Sequence, residues 1–296
     1  MIAFHYRRLL LLISFVFIAA ISNGQTPVFK IFKEEKTIAA SLKSYVEKGS
    51  TYTIDVNRFD ELYQAKPEEV ILQFHFENKD WQLVLKKSDL FSKGFFVKDA
   101  HNKPVAYNDE DAIHYKGKIN GKANTFAAIS ILPNEVIAVL ADESGNINIG
   151  ALNETNAFAA NEHIIYRESD LIAKPAFECG TENLPVPSQN PLPKFTLPET
   201  TNAVLNTEPV DIYFEADYSC YTGNSSNITT TVNWATAIFN VVTTLYENDS
   251  VYTKMSGIKV WTITDPYVSL STTSNVLYAF AANMSAGFPG DLAHLL

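Results

Sequence analysis

Val70-Ile-Leu-Gln-Phe-His-Phe76 and Trp81-Gln-Leu-Val-Leu85, joined by Glu77-Asn-Lys-Asp80, decide how the first half of the chain folds. Apolar and polar residues alternate on both sides of a short polar connection. That is the pattern of a strand, a turn and a returning strand with one face buried. Working outward, further strands are expected at Ala112–Gly117, Thr125–Ile131, Glu135–Leu140 and Asn146–Gly150, with Asp142-Glu-Ser-Gly145 as a turn before the last. Residues 26 to about 172 thus read as one β-rich unit. The aromatic pairs Phe74/Phe76 and Phe95/Phe96 could form a carbohydrate platform, but core packing is the better account of apolar rings.

Pro185, Pro187, Pro191, Pro193, Pro198 and Pro209 crowd the next stretch. Each removes a backbone donor and disfavours helix in the residue before it, so residues 181–209 read as an extended, protease-accessible linker. Beyond it the pattern changes. Val210–Glu215 reads as a strand. Asn227 or Thr229 can cap a helix with apolar residues at Val232, Ala235, Ile238, Phe239, Val242, Leu245 and Tyr246. Ile258–Ile263 reads as a second strand, and Ser274 to about Ala286 as a second helix with Leu277, Phe280, Ala281 and Met284 inward. Strand–helix–strand–helix implies a parallel crossover. Two or three strands make a poor core alone, so residues 210–296 are expected to be loosely folded by themselves.

Composition bounds the function. The 296 residues carry 23 basic against 33 acidic side chains, a net charge of -10, which leaves no cationic surplus for a polyanion such as nucleic acid. No G-x-x-x-x-G-K or G-x-G-x-x-G occurs, so nothing supports a nucleotide enzyme. At the N-terminus Arg7-Arg8 precedes an apolar run from Leu9 to Ile21, then Ser22-Asn23-Gly24. At about 20 Å as a helix that run is short of the roughly 30 Å bilayer core, so residues 1–24 read as an export signal cleaved before Gln25. No later stretch is apolar enough to span a bilayer.

The order of these features resembles the front of a secreted zinc metalloprotease zymogen of the reprolysin (adamalysin) type. His114-Tyr-Lys-Gly-Lys-Ile-Asn-Gly121, Ala127-Ala-Ile-Ser130 and Gly150-Ala-Leu152 are similar to that family's propeptide signature, and His163-Ile-Ile-Tyr-Arg167 to the end of its prodomain. Pro175-Ala-Phe-Glu-Cys-Gly180 resembles a cysteine-switch segment. Val210-Asp-Ile-Tyr-Phe-Glu-Ala-Asp217 resembles the first catalytic strand, and Asp291-Leu-Ala-His-Leu-Leu296 the segment ahead of the active site. The resemblance implies an α+β protein: a β-rich prodomain at 25–180, the linker at 181–209, and at 210–296 the start of an α/β metzincin-like catalytic domain. It also implies zinc in the full-length enzyme, a protein or peptide substrate, and an activating protease acting at the linker.

The catalytic chemistry itself is missing from this stretch. H-E-x-x-H-x-x-G-x-x-H places two histidines on one helix face and a third after a turn, with the glutamate as general base. His5, His75, His101, His114, His163 and His294 include no pair four apart. This stretch is therefore expected to be inactive as it stands, and His294, inside the D-x-A-x-L-L match, is not expected to be a ligand. The resemblance gives Cys179 the role of zinc-blocking thiolate; a Cys179–Cys220 disulfide, common in exported proteins, is the competing account. Asp211 and Asp291 fall at positions that hold calcium in some reprolysins, against ordinary surface carboxylates. Glu215 and Asp217 could join a cation site or merely solvate a strand end. The alternative in another class is a secreted binding or adhesion protein, or a pseudoenzyme, complete at Leu296.

Overall fold

The alternating segments of the first half pair into one continuous sheet that curls back on itself. The computed structural model describes residues 25–152, 161–172 and 208–296. In chain order the elements are β1 (Val28–Phe29), β2 (Phe32–Thr37), β3 (Ser50–Ile54), α1 (Val56–Ala65), β4 (Glu69–Phe76), β5 (Lys79–Lys87), β6 (Phe91–Lys98), β7 (Pro104–Val105), β8 (Ile113–Ile119), β9 (Phe126–Ile131), β10 (Val136–Asp142), β11 (Gly145–Ala151) and β12 (Glu162–Arg167). Then follow β13 (Val210–Ala216), α2 (Tyr218–Gly223), α3 (Ile228–Asn248), β14 (Thr253–Val260), α4 (Thr273–Met284) and β15 (Leu292–Leu295).

Ten strands form the first sheet, in the order β1-β4-β5-β8-β9-β10-β11-β12-β3-β2. Its two edges belong to one N-terminal segment: β1 runs parallel to β4 while β2, two residues later, runs antiparallel to β3. The amide of Ile71 donates to Pro27 O and that of Asp55 to Ile31 O, so this segment seams the curled sheet along both edges. The period-2 pattern delivers Leu72, Phe74, Trp81, Leu83, Tyr115 and Leu140 to a common core, and α1 adds Phe59 and Leu62. The β4–β5 turn is tighter than the sequence suggests. Phe76 faces Lys79 directly, with only Glu77 and Asn78 between, both in the left-handed region that a two-residue hairpin needs.

The second sheet is not confined to the C-terminal part of the chain. Its order is β15-β13-β14-β6-β7, so β6 and β7 from the first half complete a five-stranded sheet. Leu90 and Val97 are buried in the same core as Ile212, Phe214, Val232, Phe239 and Ile258. The expectation of a two- or three-stranded, loosely supported unit is thereby corrected: residues 90–107 give it two more strands and part of its core. β6, β14, β13 and β15 are parallel, as the strand–helix–strand order requires, and the architecture overall is α+β.

Two local expectations shift. β14 begins at Thr253, five residues before Ile258, and ends at Val260. It is flanked by strands on both sides and buried almost throughout, so alternation cannot mark its start. In α4 only Phe280 is buried, while Leu277 and Ala281 are exposed, because the helix leans on Tyr267 and Glu215 and touches little else.

Gly117 explains why a glycine stands in the His-Tyr-x-Gly element: a Cβ there would lie 2.0 Å from Val84 O across the β5–β8 ladder. Gly117→Val is expected to cost about 1–3 kcal/mol in urea unfolding by forcing the two strands apart. An unchanged midpoint would refute that close approach.

Candidate functional site

Four places bear on function: the seam between the two sheets, the residues of the family resemblance, the carboxylates near β13, and a cleft beside Cys220.

The seam is built on α3, which has two buried faces. Val232, Ala235 and Phe239 pack on the five-stranded sheet, with Val242 half-buried beside them. Thr236, Asn240 and Thr244 are also buried, and the helix lies against β8, β9 and β10 of the first sheet. The Asn240 amide nitrogen donates to Tyr115 O at 3.1 Å and Ile129 O at 3.2 Å, so it reads backbone carbonyls of β8 and β9. The threonine hydroxyls are satisfied within their own helix, Thr236 by Asn233 O at 2.9 Å and Thr244 by Asn240 O at 2.6 Å. Tyr107 donates to Asn233 Oδ1 at 2.9 Å, and Lys116 forms a short ion pair with Glu247.

The motif residues of the first half are structural. His114 Nδ1 meets Ser130 Oγ at 2.8 Å, linking β8 to β9. His163 Nε2 accepts the Val136 amide at 2.9 Å. Arg167 forks onto both Glu77 oxygens at 2.8 Å and reaches Asp142 at 3.2 Å, which ties the β4–β5 turn to β12 and β10. Burial holds both imidazoles neutral, His114 near a pKa of about 3 and His163 near about 4, against an ordinary 6.5.

Asp211 and Asp291 are brought together at the N-terminal end of β13. The Asp211 amide donates to Asp291 Oδ2 at 2.9 Å, and the Asp291 amide donates to Asp211 O at 2.7 Å. The Asp211 carboxylate itself accepts from Ser92 Oγ of β6. Among the described residues no three His, Cys, Asp or Glu side chains gather into a group able to hold a metal.

Glu215, at the other end of β13, does not meet solvent; it is 1% exposed and sits in a satisfied cluster. Its Oε2 accepts from Trp261 Nε1 and Tyr267 OH, each at 2.9 Å, and Asn283 reaches both carboxylate oxygens at 3.3 Å. Lys259, its register partner on β14, lies 3.8 Å from Oε1 and 3.7 Å above the Trp261 ring. The cluster fastens α4 and the segment after β14 to the ends of the parallel strands. Asp217 instead caps α2, accepting the Cys220 amide at 2.6 Å. The sequence signal for the cluster was present: Glu215 and Lys259 stand among apolar neighbours near the ends of β13 and β14.

Among the described residues Cys220 carries a free thiol. Burial and the neighbouring Asp217 carboxylate push that thiol up to about 12, which leaves it protonated at neutral pH. It lines a cleft of about 510 Å³ between the first sheet and α2–α3, with Glu135, Ile137, Asn224 and Trp234. Burial raises the Glu135 carboxyl as well. His294 lies on β15, edge-on to Phe214 at 5.6 Å. Cys179 and residues 1–24, which read as an export signal, lie outside the described residues, among which no helix is long and apolar enough to cross a membrane.

No protein-family model matches the sequence. Among solved structures the chain is similar to metalloproteinase-II from Bacteroides fragilis, with 12% identity over 88% of this chain and 67% of that one and a TM-score of 0.38. A likeness at that level does not establish a shared fold or activity.

Neutral His114 and His163 couple stability to pH. Unfolded, each takes up a proton near pH 6.5; folded, neither does until about pH 3–4. Their contribution is complete above pH 6.5 and falls with decreasing pH, by up to about 1.4 kcal/mol per unit for each histidine. Urea midpoints measured from pH 7.5 to 4.5 should drop, and His163→Gln, which keeps an acceptor for Val136, should flatten the decline. An equal decline in that variant would contradict the assignment.

Proposed function

We propose that this chain is the N-terminal portion of a secreted zinc-dependent metalloendopeptidase made as a zymogen. In this reading residues 1–24 direct export, 25–180 form the prodomain, 181–209 contain the activation cut, and 210–296 open the catalytic domain. The observation that carries it is the sequential agreement of the resembling segments, from His114-Tyr-Lys-Gly117 through His163–Arg167 and Cys179-Gly180 to Asp291–Leu296. Supporting it, the β13–α3–β14 crossover follows the cysteine-bearing segment in the order such a zymogen needs. A first half packed along α3 is also placed to hold the second half in one arrangement.

The described residues do not fit a zinc ion: no group of ligating side chains assembles, and Glu215, the best-placed carboxylate, is already engaged by four neighbours. No catalytic step is therefore derived from them. Under this reading the histidine ligands and the glutamate base would lie in sequence following Leu296, and Cys179 would be the residue that blocks the zinc in the zymogen. Calcium at Asp211 and Asp291 belongs to the same reading.

Sequencing the source gene beyond the codon for Leu296 tests it. The expected result is an open frame that encodes H-E-x-x-H-x-x-G-x-x-H within some tens of codons. A stop codon, or a continuing frame without that motif, would overturn the protease assignment.

A further inference from the structure

We infer that β6 is a donated strand: a cut in the 173–207 connection leaves a tightly held two-piece complex, and the first half departs only when Phe91–Lys98 is peeled from β14. By chain order β6 belongs to the first half, which continues from it through β7 into β8. By packing it belongs to the second. Phe91 pairs with Met255, Phe96 with Gly257, Val97 with Ile258 and Lys98 with Lys259. The Met255 amide also donates to Leu90 O at 2.8 Å. Strand addition of this kind couples main-chain hydrogen bonds to side-chain pockets.

The pocket is specific. Gly257 presents bare backbone to the Phe96 ring, and a Cβ there would lie 2.6 Å from Phe96 Cζ. Val97, 2% exposed, enters the second core with Leu90, and Phe91 and Phe95 pack beside them. Lys254 adds two contacts of 2.6 Å to Asp89, one to its carbonyl and one to its carboxylate. Without β6, the edge of a strand buried along nearly its whole length would open to water, which is a costly and aggregation-prone state. The β14 edge is thus an acceptor for one parallel, apolar strand that lays an aromatic ring on Gly257, and this chain supplies that strand itself.

The consequence for activation rests on the zymogen reading above, because it makes scission necessary but not sufficient for release. The physical claim does not rest on it. A full-length chain carrying a site-specific protease sequence in place of residues 188–194 is cut and run on size exclusion at about 1 µM, a concentration at which only submicromolar complexes persist. The two pieces should co-elute at the mass of the uncut chain. Phe96→Ala and Val97→Asp should each weaken the nicked complex at least about tenfold, while Lys116→Ala, at the α3 seam, should change it less than about threefold. Separation of the unsubstituted nicked pieces would overturn the proposal, as would Lys116→Ala matching the β6 variants. Uncut Phe96→Ala chain with an ordinary urea transition controls for folding. None of these outcomes bears on whether the full-length protein hydrolyses peptides.

Discussion

The pairing of β6 with β14 is the contact on which the arrangement depends. It places a piece of the first half inside the core of the second, so the two sheets cannot be treated as beads on a string. α3 then fills the space between them, with Phe239 on one side and Asn240 on the other. Two adjacent residues on one helix therefore face two different sheets. An apolar stripe alone would anchor the helix to a single sheet; the threonines and Asn240 let its second flank be buried without leaving hydroxyls unsatisfied.

The residues that carry the family resemblance in the first half have mechanical roles. Gly117 allows β5 and β8 to approach, His114 and His163 act as neutral polar staples, and Arg167 pins a hairpin turn. This matters for the functional argument, since a histidine-bearing motif in a protein compared with zinc enzymes invites a metal assignment. Here both imidazoles are buried, and His114 Nδ1 and His163 Nε2 are committed to local partners.

Legibility in the sequence followed how local the cause was. β4, β5 and β10 were readable because alternation records one buried face, and α3 because Asn227 caps a periodic stripe. β6 was missed: Phe91-Ser-Lys-Gly-Phe-Phe-Val-Lys98 lacks alternation, holds Gly94 at φ +87, and owes its burial to a partner more than 150 residues away. The second face of α3 is threonine and asparagine, so the apolar stripe does not reveal it. Its signal was the absence of charge, since no Lys, Arg, Asp or Glu occurs from Ile228 to Tyr246. Of the site expectations, Asp211 and Asp291 do lie side by side, Glu215 and Asp217 prove to be a buried clamp and a helix cap, and Cys179 falls outside the described residues.

Native-state hydrogen exchange on the intact chain tests the shared core most directly. The amides of Phe96, Val97 and Lys98 should exchange with the same opening free energy as those of Gly257, Ile258 and Lys259, and both sets should respond together to low concentrations of urea. If β6 instead exchanged in step with β5 and β8 while β14 opened independently, the second core would not depend on the donated strand, and the account would fail.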